Sequence, residues 1–71
     1  MTSVTAADNR YSVVLEEETR GWRVIIRDPD GTQVAKRSCS DETEARTYAS
    51  SVRQHIYWLS EPRFCGYYRL P

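Results

Sequence analysis

The chain predicts an α+β fold, a three-stranded antiparallel sheet packed on one C-terminal helix (β-β-β-α) and followed by a short aromatic tail. Three observations carry that reading: successive runs of strand character, a hairpin turn at Asp28-Pro29-Asp30-Gly31, and an apolar stripe at helical spacing over residues 45–59. Residues 1–10 are small, polar and without periodicity, and read as a disordered leader. The folded domain is expected over 11–60 and the aromatic tail over 61–71.

The first strand starts at Tyr11, where Val13 and Leu15 alternate with Ser12 and Glu16. Thr19-Arg20-Gly21 turns the chain into a second strand, Trp22-Arg23-Val24-Ile25-Ile26-Arg27. Pro29 then presets φ for the first corner of a type I turn, and Gly31 supplies the left-handed residue after it. A third strand, Thr32-Gln33-Val34-Ala35-Lys36-Arg37, fades at Ser38-Cys39-Ser40. Asp41 and Glu44 have the spacing of a capping box, with Ser40 as a competing N-cap, and Glu42 and Glu44 place negative charge where the helix dipole favours it. Ala45, Tyr48, Ala49, Val52, Ile56 and Leu59 then recur at three- and four-residue steps. Pro62 disfavours helix at Glu61, so the helix is expected to stop near Ser60.

Composition narrows the function. The chain has 71 residues, and its ten basic and ten acidic side chains cancel. A domain this small buries about 60% of its unfolded surface, which leaves one thin core layer and no deep catalytic cavity. Zero net charge argues against attachment to nucleic acid or membrane by bulk charge. Cys39, Cys65 and His55 offer no CxxC or HxxxH spacing, so neither a disulfide framework nor a metal site is expected, and no cofactor is implied. The absence of a signal-peptide pattern or a long apolar run points to a cytoplasmic home. His55 lies beside the apolar stripe of the helix without a positioned nucleophile, and no glycine-rich phosphate loop occurs, so an enzyme is not expected.

Counting outward from the turn sorts the strands into faces. Asp28 falls opposite Thr32, Ile26 opposite Val34 and Val24 opposite Lys36. Trp22, Val24, Ile26 and Val34 then meet the helix, while Arg23, Ile25, Arg27, Gln33, Ala35 and Arg37 share the uncovered face. Arginines on an open sheet face can fork onto phosphates or guanine edges. The plainer role is a solvated face on which Glu16 and Glu18 neutralise Arg23 or Arg27, each exposed pair contributing about 0–1 kcal/mol.

Gly21-Trp22 through Asp28-Pro29-Asp30-Gly31, with Glu42-Thr43-Glu44-Ala45 opening a helix, resembles the N-terminal arm-binding domain of phage-type tyrosine integrases over residues 11–59. The resemblance implies a three-stranded sheet that lies in the DNA major groove, with Arg23, Arg27 and Arg37 facing DNA; Gln33 shares their face. Small uncharacterised bacterial β-β-β-α domains are similar too, and imply no activity.

Tyr57, Trp58, Phe64, Tyr67 and Tyr68 form a second group. They can close the ends of the core and bind the tail down, or present a protein interface, since Tyr, Trp and Arg dominate binding hot spots. The tail is expected to pack on its own domain, with sharing between two chains of a homodimer as the second choice. Taken together, the sequence predicts a small non-catalytic regulator or inhibitor that binds a protein, of the kind a phage or other mobile element encodes against host defence. The alternative is a DNA-binding sheet module.

Overall fold

A computed structural model describes residues 9–71 as three antiparallel strands followed by two helices. Strands β1 (Ser12–Glu18), β2 (Gly21–Arg27) and β3 (Gln33–Cys39) form one sheet in the order β1-β2-β3. Helix α1 (Glu42–Trp58) covers one face of the sheet, and α2 (Glu61–Tyr68) follows it. Of the expected leader, residues 1–8 lie outside the described residues. Asn9 and Arg10 are tied to the helices: the Asn9 side-chain amide donates to the Leu59 carbonyl at 3.0 Å, and the Arg10 backbone N–H to Glu61 at 2.8 Å.

The β2–β3 turn has the expected chemistry. Gly31 N–H donates to the Asp28 carbonyl at 2.9 Å, closing the turn, and Gly31 has φ +87°. The Asp28 carboxylate also accepts from the N–H groups of Asp30 and Thr32, both at 2.9 Å. Asp28 lies opposite Thr32, as the turn type requires, through its N–H to the Thr32 carbonyl.

The register beyond that point differs from the sequence count. Arg27 pairs with Gln33 but Ile26 pairs with Ala35, so Val34 is an extra residue, a β-bulge. From there every β3 side chain changes face. Val24 stands opposite Arg37 rather than Lys36, so Ala35, Arg37 and Cys39 lie on the helix side and Lys36 and Ser38 on the open side. The bulge has a clear physical reason. Unbroken alternation would set Lys36 and Ser38 on the helix side; the inserted residue sets Ala35, Arg37 and Cys39 there instead. The gain is the burial of Cys39 in place of Ser38 and the packing of Ala35 on the core, with Arg37 long enough to keep its guanidinium at the surface.

The core lies between the sheet and the helices: Val13, Val24, Ile26 and Cys39 from the strands, Ala45, Ala49 and Val52 from α1, and Phe64 from α2. Trp22, Val34, Tyr48, Ile56 and Leu59 pack around it, as their spacing predicts. Asp41 is the N-cap of α1, accepting from Glu44 N–H at 2.8 Å, while the Glu44 carboxylate returns to Ser40 N–H at 2.9 Å and to the Ser40 hydroxyl at 2.8 Å. Asp41 is thus the cap and Ser40 serves as a donor to Glu44 instead, and these bonds from Ser40 hold the Glu44 carboxyl below its ordinary pKa.

The tail is a second helix, where a single C-terminal helix was expected. Pro62 stands in the first turn of α2, where its missing N–H costs no intrahelical bond. Arg69 ends α2 in the left-handed region, with φ 55° and ψ 47°, and Leu70 N–H reaches back to the Cys65 carbonyl at 2.8 Å.

Candidate interaction surface

The open sheet face is far less basic than a row of arginines. Arg23 stands opposite Glu16 and donates to it at 2.9 Å, with Glu18 at 3.0 Å on the same guanidinium nitrogen. These carboxylates raise the Arg23 pKa, the hydrogen bond to Glu16 contributing most. Two acids on one base cancel its field locally. Arg37 leaves this face altogether: the bulge puts it on the helix side, with its guanidinium 4.7 Å from the Tyr48 ring centre. Its carry-over as a groove-facing residue beside Arg23 and Arg27 is therefore corrected. Arg27 and Gln33 stay on the open face, and Lys36, which unbroken alternation would place inward, joins them. Ile25 lies among them and is almost fully buried, at 1% exposure, so it is not a free apolar contact.

The aromatic group separates into layers. Phe64 is fully buried in the core and presents nothing to a partner, so of the two roles open to it the interface one is corrected and the core one stands. Its ring lies 5.2 Å from Tyr11 and 4.9 Å from Tyr68. Tyr68 is half-buried, and its hydroxyl is 2.7 Å from His55 Nδ1. The Tyr67 ring lies 4.5 Å from that of His55, tilted by 42°, but stays 62% exposed. Trp58, 65% exposed, is the last residue of α1, three positions after His55, and so lies on the side of α1 that carries the imidazole. Arg63 precedes Tyr67 by four residues on α2 and shares its face. Tyr57, 61% exposed, belongs elsewhere. With Asn9, Tyr11, Ser12, Val13, Arg53 and Ile56 it lines a groove of about 440 Å³ between β1 and α1.

The remaining chemistry-bearing groups are tied into structure. Cys39 is in the core, and the Cys65 thiol is 2.9 Å from the Tyr11 hydroxyl. Among the described residues no three His, Cys, Asp or Glu side chains converge as metal ligands, and no helix is long and apolar enough to cross a membrane. The Arg10 guanidinium, 3.1 Å from Glu61, holds that carboxyl below its usual range and straps the start of β1 to α2.

Two phenols are pushed up to about 12, Tyr11 by its bond to Cys65 and then by burial, Tyr68 by burial first and then by the neighbouring Tyr48 and Tyr67. Both hold their protons more tightly in the fold than in the unfolded chain, where tyrosine ionises near pH 10. Their stabilising contribution is therefore complete below pH 10 and is lost as pH rises through about 12. In a phenolate absorbance titration, two of the five tyrosines should ionise together with the loss of folded circular dichroism at that alkaline edge.

These features define a small α+β domain with an exposed aromatic corner and a partly neutralised sheet face. The chain matches no protein-family model, no curated protein and no solved structure.

The geometry brings together residues that sequence reasoning kept apart. Arg63 and Tyr67 share a face only once residues 61–68 are helical. Arg53 gains its setting from the groove. The signal for the first was present in Ser60-Glu61-Pro62, an N-cap residue, an acidic first turn and an early proline.

Proposed function

We propose that this domain is a non-catalytic protein-binding module, a small regulator or inhibitor whose docking point is the corner formed by Trp58 and Tyr67 with Arg63 beside them. The observation that carries this reading is the exposure of two large rings, Trp58 at 65% at the end of α1 and Tyr67 at 62% on α2, where Tyr67 lies against the half-buried His55. Tyr68 bonds His55 and packs against Tyr67, and the buried Phe64 packs against Tyr68 in turn, so the Tyr67 ring is presented on a supported platform. Rigid aromatic anchors lose little conformational entropy on binding, and an adjacent arginine adds directional bonds.

A DNA-binding sheet is the second reading, resting on Arg27, Gln33 and Lys36 together on the open face. Affinity capture compared across variants tests the first. Trp58→Ala and Tyr67→Ala should each weaken partner affinity by about 1–3 kcal/mol with the fold intact by circular dichroism, while Arg27→Ala leaves it unchanged. Salt-sensitive duplex binding that Arg27→Ala weakens, with no effect of Trp58→Ala, would replace this reading by the second.

A further inference from the structure

The two edges of the sheet are not alike. β3 carries the protections expected of an exposed edge, a bulge at Val34 and the cations Lys36 and Arg37. β1 has no bulge and no cation, and its one protection of this kind is Glu17 on the inner face. It is seven residues long, contains no proline or lysine, and keeps an unbroken register with β2 from Ser12 to Glu18. Glu18 and Gly21 close the hairpin across the two turn residues Thr19 and Arg20, so the alternation of an antiparallel ladder leaves the backbone groups of Val13, Leu15 and Glu17 directed away from β2. Among the described residues those groups form an unused hydrogen-bonding edge.

The edge is also electrically polar along its length. At its start, Arg53 of α1 stands in the groove beside Val13; at its end stand Glu16, Glu17 and Glu18. Glu17 alternates with Val13 and Leu15 and so lies on the helix side of the sheet, where it is exposed. Neither Glu17 nor Arg53 makes an ion pair among the described residues. A charge on the inner face of an edge strand ordinarily deters pairing. Here an antiparallel copy of the same strand would bring it a partner of opposite sign.

We propose that β1 pairs antiparallel with β1 of a second copy about a twofold axis at Leu15, giving a continuous six-stranded sheet. In that register Val13 faces Glu17 of the second copy, and the Glu17 carboxylate enters the groove that holds Arg53, Ile56 and Tyr57. The twofold repeats the contact, so two Glu17–Arg53 pairs and two covered Tyr57 rings flank the central leucines. The opposite charges at the two ends of β1 select the antiparallel copy, because a parallel one would set acid against acid. This interface is separate from the Trp58–Tyr67 corner, which stays outside it.

Sedimentation equilibrium on the full chain, over a wide concentration range, tests the pairing. The weight-average mass should rise from 8.3 kDa towards twice that value. Glu17→Arg and Arg53→Glu should each weaken the dimer at least tenfold, and the double variant should recover most of the loss. Both side chains are exposed, and far-ultraviolet circular dichroism of each variant checks that the fold is kept. Trp58→Ala should leave the dimer unchanged even if it abolishes partner binding, which separates this inference from the functional reading. A chain that stays at 8.3 kDa throughout overturns the proposal and leaves the edge to a strand from another protein. A dimer that survives both single charge reversals, or that Trp58→Ala dissolves, overturns it equally.

Discussion

Phe64→Ala should destabilise the domain by about 3–5 kcal/mol, the range for truncating a fully buried phenylalanine. A chain of 71 residues has only about 4–10 kcal/mol of stability in total, so the loss is about a third or more of it and unfolds the variant outright if the total lies at the low end. Phe64 has no exposed surface, it is the sole fully buried side chain of α2, and its ring packs between Tyr11 of the strand side and Tyr68 of its own helix. The local sequence of α2 cannot replace that contact, because Phe, Cys, Gly and Tyr are middling to poor helix formers and eight residues are too few for a helix alone in water. Urea denaturation measures the effect, with Tyr67→Ala as comparison. Tyr67 is largely exposed and its truncation should cost under about 1 kcal/mol. A loss below about 1 kcal/mol for Phe64→Ala would mean that α2 does not belong to the core.

This dependence explains how much of the molecule could be read from its residues. The turn at Asp28-Pro29-Asp30-Gly31, the caps of α1 and the stripe from Ala45 to Leu59 are local: each is decided by residues within a few positions of one another. They stand in the structure as their patterns predict. The Val34 bulge is decided at a distance, by whether Lys36 or Cys39 meets the helix across the sheet, and no short-range pattern records that choice. Its consequences travel. Because side chains alternate along a strand, one inserted residue moved Arg37 off the open face and dissolved the trio of arginines. The aromatic group was opaque for a related reason. Tyr57, Trp58, Phe64, Tyr67 and Tyr68 are alike in composition, and only the packing of α2 separates a core ring from the exposed ones. That the chain ends in a second helix was legible in Ser60-Glu61-Pro62, since a proline that stops one helix can open the next.

Gly21→Ala carries the other large expected effect, about 2–3 kcal/mol, from backbone strain combined with a steric clash. Gly21 begins β2 with φ +148°, a conformation that side-chain-bearing residues rarely adopt. A Cβ at this position would sit 2.6 Å from the Cys39 carbonyl oxygen and 3.4 Å from that of Ser40. Both neighbours are backbone, at the end of β3 just before the N-cap of α1, so they cannot yield by a change of rotamer. Relief would have to shift the junction between β3 and α1, which carries Cys39 into the core and Asp41 onto the helix. The other two glycines make an internal scale. Gly31 has φ +87° but open space around it, so Gly31→Ala should cost only about 1 kcal/mol of strain. Gly66 lies inside α2 with nothing within 4 Å of where an alanine methyl would stand, and Gly66→Ala should gain about 0.4–1 kcal/mol through helix propensity and a less disordered unfolded state. Thermal or urea unfolding of the three variants should therefore rank them Gly66→Ala, Gly31→Ala, Gly21→Ala from most to least stable. If Gly21→Ala proves as stable as Gly31→Ala, the close approach to Cys39 is not a constraint, and positive φ alone accounts for the glycine.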